Sequence, residues 1–424
     1  MNKALAALAV LLAGVLALTA CSGSSSNDKV LRIWHYEAAN SAMGLAWDQA
    51  IKDFQAAHPE ITVRFESKSF EQVQKTAPMI LNSADAPDVM EYNKSNASAG
   101  LLAHKGLLTD LTPAVQKYGW DKSLTGPLAV TGRYDTAGVM GSGNWYGISD
   151  YGEFAMVYYN KDLFAQNNIP VPTTFDELVR AMDAFVAKGI TPFANAGSEY
   201  VGHEYLYQLA LTKADRAWVD AYQRYTGKVD FHDPIWSYAV NTFTDWVKKG
   251  YIAKDSAGLK AEDAGNAFEQ KKFPMILSGS WWFGRFQKEI TFDWGTFLFP
   301  GSKLIPGSGG NLWVVPKKSK HSELATEFID FTMRKQVQNL LGNNGGVPIA
   351  ADPAAITDPK SQQLISTFTG LSAADGLAYY PDWPAAGFYD VLSTQVQKLL
   401  SGSASADQVQ SDLQKAYDSG IPKR

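Results

Sequence analysis

Apolar residues recur along the first hundred positions in two alternating periods. Leu31 and Ile33 open a strand, and Met43, Trp47, Ile51 and Phe54 follow at the three-to-four spacing of a buried helix stripe. His58-Pro59 breaks that helix. Ile61, Val63 and Phe65 then alternate with polar residues as a half-buried strand does. A second helix is predicted over 70–82, and a short strand at Pro87 to Met90. Alternation of β and α through the first 120 residues predicts a doubly wound α/β sheet.

The stretch Asn144 to Asn160 reads as an extended crossing with a hinge near Asp150. Beyond it, Thr174 and Glu177 form a capping box ahead of the stripe Leu178, Ala181, Met182 and Phe185, and Gly189 ends the helix. Lys272 to Ser278 is a strand running into Gly279-Ser280-Trp281-Trp282. Thr296 to Pro300 is extended, Trp313 to Val315 is another strand, and His321 to Met333 is a helix. Gly342 to Gly346 is a loop of residues that tolerate positive φ, and the remainder is mostly helical.

The N-terminus changes the picture. Lys3 precedes an apolar run from Ala4 to Leu18, which falls short of the roughly 20 residues of a spanning helix and reads as an export signal over 1–20. Cys21 is the only cysteine of 424 residues, which excludes an internal disulfide and a multi-cysteine metal or redox site. Leu18-Thr19-Ala20-Cys21 resembles the lipobox of bacterial lipoproteins, which implies acylation of Cys21 and a membrane anchor. Residues 21–27 then form a flexible tether. The chain behind them is long enough for two domains. A net charge of −5 without a basic cluster argues against nucleic acid. Aromatic residues make up 12% of the chain, including 12 Trp and 19 Tyr, more than core packing alone requires.

Several blocks resemble family 1 of the extracellular solute-binding proteins, the group with the maltodextrin- and raffinose-type oligosaccharide receptors. They are Leu31-Arg32-Ile33-Trp34, Ala86-Pro87-Asp88-Val89, Leu107-Leu108-Thr109-Asp110-Leu111, Tyr159-Asn160-Lys161-Asp162-Leu163, Gly279-Ser280-Trp281 and Val315-Pro316-Lys317. The resemblance covers nearly the whole mature chain. It implies a two-lobed periplasmic-binding-protein-like fold of type II, with a cleft that closes by hinge bending. On that template the N-terminal lobe holds 28–150 plus 298–330, and the C-terminal lobe 151–297 plus 331–424. It further implies a monomeric receptor of an ATP-driven importer, handing a di- or oligosaccharide to permease subunits served by a separate ATPase. No cofactor, metal or catalytic residue is expected.

A pyranose needs aromatic faces for its C–H surfaces and hydrogen-bonding groups for its hydroxyls. Ligands of doubly wound sheets sit beyond the carboxyl ends of the strands. Glu37 after the first strand, and Tyr92, Asn93 and Asn96 after the third, are therefore candidates; a helix cap or solvated loop is the alternative role. Tyr380, Asp382 and Trp383, stiffened by Pro381 and Pro384, offer a carboxylate beside stacking rings. By resemblance, Trp281 matches the family's stacking tryptophan with Trp282 as its buried neighbour, Glu153 an acidic sugar contact that could instead pair with a lysine, and Asn311 and Asn344 amide contacts.

No two of the six histidines stand at a metal-site spacing, His203-Glu204 included. Gly307-Ser308-Gly309-Gly310 lacks the lysine and helix of a phosphate loop. Two other readings stay open. Glu37, Glu153 and Asp382 could serve a glycosidase with paired carboxylates, though no catalytic signature accompanies them. The same receptor could carry a polyamine, through Glu37, Glu153, Trp281 and Asp382, or glycerol phosphate, for which Arg285 is the nearest arginine.

Overall fold

Strand Val30–His35 carries its apolar residues into a computed structural model that describes residues 29–422. Cys21, the leader and the whole tether lie outside the described residues. Val30–His35 pairs in parallel with Thr62–Ser67 on one side and Val89–Tyr92 on the other. The sheet continues through Leu312–Val314 and Ile148–Ser149, both added antiparallel. Helix Ala42–Ala57, capped by the Ser41 hydroxyl accepting from Gly44 N at 2.9 Å, buries the whole predicted stripe against this sheet. Its Trp47 meets Trp313 at 5.6 Å and Tyr151 at 6.2 Å between ring centroids.

A second sheet is built around Tyr151–Asn160, whose ten residues are all buried. It pairs antiparallel with Trp294–Phe297 and with Met275–Gly279, and the latter runs parallel to Phe193–Ala194. The predicted capping box is present: Thr174 accepts from Glu177 N, Glu177 reaches back, and Phe175–Val186 buries Leu178, Ala181, Met182 and Phe185. The chain is thus an α/β protein with two main sheets and a cleft between them.

The chain passes from the first sheet to the second at Asp150. That carboxylate accepts from Trp313 Nε1 at 2.8 Å, its backbone oxygen accepts from Gln338 Nε2 at 2.8 Å, and burial pushes its pKa up to about 8. The return passes through Gly310, whose N–H donates to Tyr151 O at 2.7 Å. A side chain there would strike the Tyr151 ring, 2.4 Å from an added Cβ, so only glycine lets the two crossings lie side by side. A third crossing follows Gly345 (φ +84°) and pairs Val347–Pro348 with Gly152 and Tyr151.

Two expected lobe boundaries move. Residues 298–309 remain with the second sheet: Phe299 packs on Phe175 and Trp246, and Gly307–Gly309 pairs with Phe154 to Gly152. Helix Lys335–Asn343, expected in the second lobe, packs on Ala42–Ala57 in the first. Its Val337 and Leu341 complete the apolar cluster around Trp47, a partner that local sequence does not disclose.

Candidate functional site

Strand ends supply the first wall of the cleft. After Val30–His35 come Tyr36 and Glu37, after Val89–Tyr92 come Asn93 and Lys94, and Asn311 leads into Leu312–Val314. The opposing wall is Trp281 and Trp282 after Met275–Gly279, then Tyr200, His203 and Glu204 on helix Tyr200–Leu211, and the segment Tyr380 to Trp383. Glu153, on the strand that leaves Asp150, lies where the walls meet. Together they enclose a cavity of about 400 Å³.

Trp281 sits where it does because residue 279 is glycine. An added Cβ at Gly279 would fall 1.9 Å from the Trp281 ring. Both indoles, Trp281 and Trp282, donate Nε1–H to the Tyr200 hydroxyl at 3.1 Å. Trp282 is buried, whereas Trp281 keeps part of its face open and meets Tyr380 at 6.0 Å. Tyr380 in turn lies 5.4 Å from Trp383, so three rings run along one side of the cavity.

Charge is concentrated in the same space. Lys94 Nζ lies 2.5 Å from Glu153 Oε1, with side chains 3% and 4% exposed, and donates to Asn311 Oδ1 at 3.1 Å. It also stands over the rings of Tyr380 and Trp383 at 5.7 and 5.6 Å. Burial raises the Glu153 pKa while Lys94 pulls it back. Desolvation pushes up the pKa of Glu37 and of the buried Glu91 behind it, and the Glu37 charge raises Glu91 further. Burial raises Asp382 to about 6 and lowers His203 to about 3, leaving that imidazole neutral, its Nε2 2.9 Å from the Ser393 hydroxyl.

Backbone strain flanks the cavity. Ser95 follows Lys94 at φ 147°, ψ 168°, a region that glycine ordinarily occupies, and Tyr379 precedes Tyr380 at φ 61°. Ser95 is held there by its N–H donating to Tyr134 Oη at 3.0 Å and its hydroxyl accepting from Ser98 N at 2.9 Å.

Of the residues singled out by sequence, Glu37, Asn93, Glu153, Trp281, Asn311, Asp382 and Trp383 line this one cavity. Tyr92 lies behind it, in an adjoining cavity of about 330 Å³ that shares Asn93 and Asp382. Two expectations are corrected. Asn96 is saturated by the fold: its amide donates to Gln223 O and Tyr225 Oη at 2.7 and 3.1 Å, and its oxygen accepts from Met140 N at 2.8 Å. Asn344 turns back on its own helix, donating to Leu340 O at 2.8 Å. Sequence reasoning missed Lys94, Tyr200 and Glu204, and it left His203 without a role. Lys94 was signalled by its place beside Asn93; Tyr200 and Glu204 stand four apart on one helix face, a spacing that also fits plain core.

Among the described residues no group of three or more His, Cys, Asp or Glu could hold a metal ion. No helix among them is long and apolar enough to cross a membrane. The cavity instead offers stacking faces beside acceptors and donors, walled by two lobes.

Known proteins resemble this chain in sequence and fold. The chain is 26% identical over 348 residues to the multiple sugar-binding protein of Streptococcus mutans serotype c, covering 78% of this chain and 79% of that one. It is 25% identical over 355 residues to the maltodextrin-binding protein MdxE of Bacillus subtilis, covering 76% and 75%. A solved structure connected with xylan utilization by the thermophilic Caldanaerobius polysaccharolyticus has the same fold, with TM-score 0.80, 21% identity and coverage of 91% and 99%. Residues 38–339 match the model of the bacterial extracellular solute-binding proteins, and the chain belongs to that family.

Proposed function

We propose that this protein is the substrate-binding component of an ATP-driven importer, capturing a di- or oligosaccharide outside the cell membrane and passing it unchanged to permease subunits. The observation that carries the reading is the row Trp281, Tyr380 and Trp383 facing hydrogen-bonding groups from both lobes. Rings cover the C–H faces of a pyranose, while Glu37, Asn93 and Asn311 meet its hydroxyls. The names of the two curated relatives point the same way.

In this reading the first lobe comprises residues 29–150 together with 310–344, and the second 151–309 together with 345–422. Closure about Asp150, Gly310 and Gly345 buries the ligand. Cys21 carries the lipid anchor on the outer face of the membrane, the receptor acts as a monomer, and a separate subunit hydrolyses ATP. Glu153 serves as the partner of Lys94 and not as a hydrolytic acid, so the protein lacks glycosidase activity.

A thermal-shift screen of the secreted chain carrying Cys21→Ser, against mono-, di- and oligosaccharides with spermidine and glycerol phosphate included, tests the assignment. A ligand that binds only the folded state adds about 2.7 kcal/mol at a hundredfold excess over its Kd. A response confined to sugars supports the carbohydrate receptor. Silence from every sugar beside a response to spermidine or glycerol phosphate overturns it, and chromatographic detection of shortened oligosaccharides overturns the non-enzymatic reading.

A further inference from the structure

The charges in the cleft do not balance. Among the described residues lining the cavity, the cations are Lys94 and Arg285, and both are committed: Lys94 to Glu153, Arg285 to Glu262 at 2.7 Å and Glu269 at 2.9 Å. Glu71 accepts from the Tyr389 hydroxyl at 2.8 Å, and Glu199 accepts from Ala261 N at 2.8 Å. Glu204 has no such partner. It is 1% exposed, and both of its oxygens are buried without a hydrogen bond. The Ser278 hydroxyl near it favours its charged form, and that hydroxyl is itself buried without a hydrogen bond. Asp382, partly exposed, is close enough to add to the repulsion Glu204 feels.

Aromatic faces complete the picture. Trp281 lies 5.5 Å from Tyr200 and 6.0 Å from Tyr380, and these rings line the same cavity as Glu204 and Asp382. An ammonium brings three donors and a positive charge, matching unpaired acceptors and ring faces together. A neutral ligand would leave a buried carboxylate either unpaired or protonated.

We propose that the ligand is a carbohydrate bearing a protonated amine, with the ammonium held between Glu204 and Asp382 against Trp281 and Tyr380. This rests on the carbohydrate reading above and adds the charge.

Calorimetric titration with sugars that differ in one substituent tests it: glucose, N-acetylglucosamine and glucosamine, then cellobiose, di-N-acetylchitobiose and the chitosan disaccharide, with spermidine as an amine lacking a ring. The aminated member of a set binds at least about tenfold tighter than its hydroxyl and acetamido relatives, and the advantage shrinks as salt rises. Glu204→Gln narrows that ratio at least about tenfold. Asp382→Asn, at a partly exposed position, narrows it in the same direction and serves where the buried substitution fails to fold. Neutral members binding as tightly as aminated ones overturn the charge assignment while leaving the carbohydrate receptor intact. Binding of spermidine with no sugar overturns the carbohydrate reading, and silence from every probe overturns both.

Discussion

Replacing Lys94 by methionine isolates the energetics of the cleft. The ammonium and the Glu153 carboxylate stand 2.5 Å apart with side chains 3% and 4% exposed. At an effective dielectric of about 20 that separation is worth about 6–7 kcal/mol of attraction, offset by several kcal/mol of desolvation for each ion. The intact pair is therefore close to neutral for stability, but removing one partner strands the other, at a cost of about 3–5 kcal/mol. The stranded group is Glu153, whose pKa burial already raises and which Lys94 now lowers. With Lys94 gone it rises further. A carboxyl with a folded pKa above its unfolded value destabilises the fold when ionisation is demanded, so the penalty is present well above pH 5 and fades as pH falls toward the unfolded value of about 4.5. Urea unfolding followed by tryptophan fluorescence then shows Lys94→Met well below the parent at pH 8 and near it at pH 5. The double variant Lys94→Met, Glu153→Gln recovers most of the loss at pH 8. A loss under about 1 kcal/mol, a gap that does not close on acidification, or no rescue in the double variant refutes the reasoning.

Three further outcomes are expected. Trp281→Ala weakens binding of the cognate sugar by about thirtyfold or more in calorimetry, since a centrally placed tryptophan contributes at least about 2 kcal/mol. Tyr389→Phe removes the 2.8 Å bond to Glu71 that ties helix Phe388–Ser401 to helix Phe70–Ile80 across the cleft; small-angle scattering of the ligand-free protein shows a larger radius of gyration, and affinity falls about fivefold. Asp382→Asn is compared with the parent across pH 4 to 7. Burial raises Asp382 to about 6 from 3.8, so the parent loses stability as pH climbs through that window and the variant gains on it by at most about 3 kcal/mol, less for partial exposure.

Local chemistry was legible in the sequence wherever one segment decides its own structure. The Thr174 and Glu177 capping box and the stripe from Leu178 to Phe185 depend only on helix geometry, and both are present. The strand at 62–67 alternates because one face of an edge strand stays wet, and its register beside Val30–His35 follows. The return to the first lobe was placed too early, because Trp294–Phe297 and Gly307–Gly309 choose Tyr151–Asn160 as their partner through long-range pairing. Helix Lys335–Asn343 went to the wrong lobe for the same reason: its apolar face fits either core in sequence, and only packing on Ala42–Ala57 selects one.

The site follows the same division. Residue type, joined to a place after a strand for Glu37, Asn93 and Trp281 and to flanking rings and prolines for Asp382, picked out four residues of distant segments that line one cavity. Type alone does not say whether a polar group serves a ligand or the backbone, and there Asn96 and Asn344 were misread: each satisfies its amide on neighbouring carbonyls. Lys94 and Glu204 escaped notice from the opposite side, because a buried charge is visible only once its surroundings are known. Lys94 has its partner within the chain and Glu204 does not, a difference that no pattern in either segment records. That asymmetry sets two roles for the cleft's charges. Lys94 and Glu153 tie the first lobe to the crossing strand whether or not ligand is present, whereas Glu204 is left for what enters.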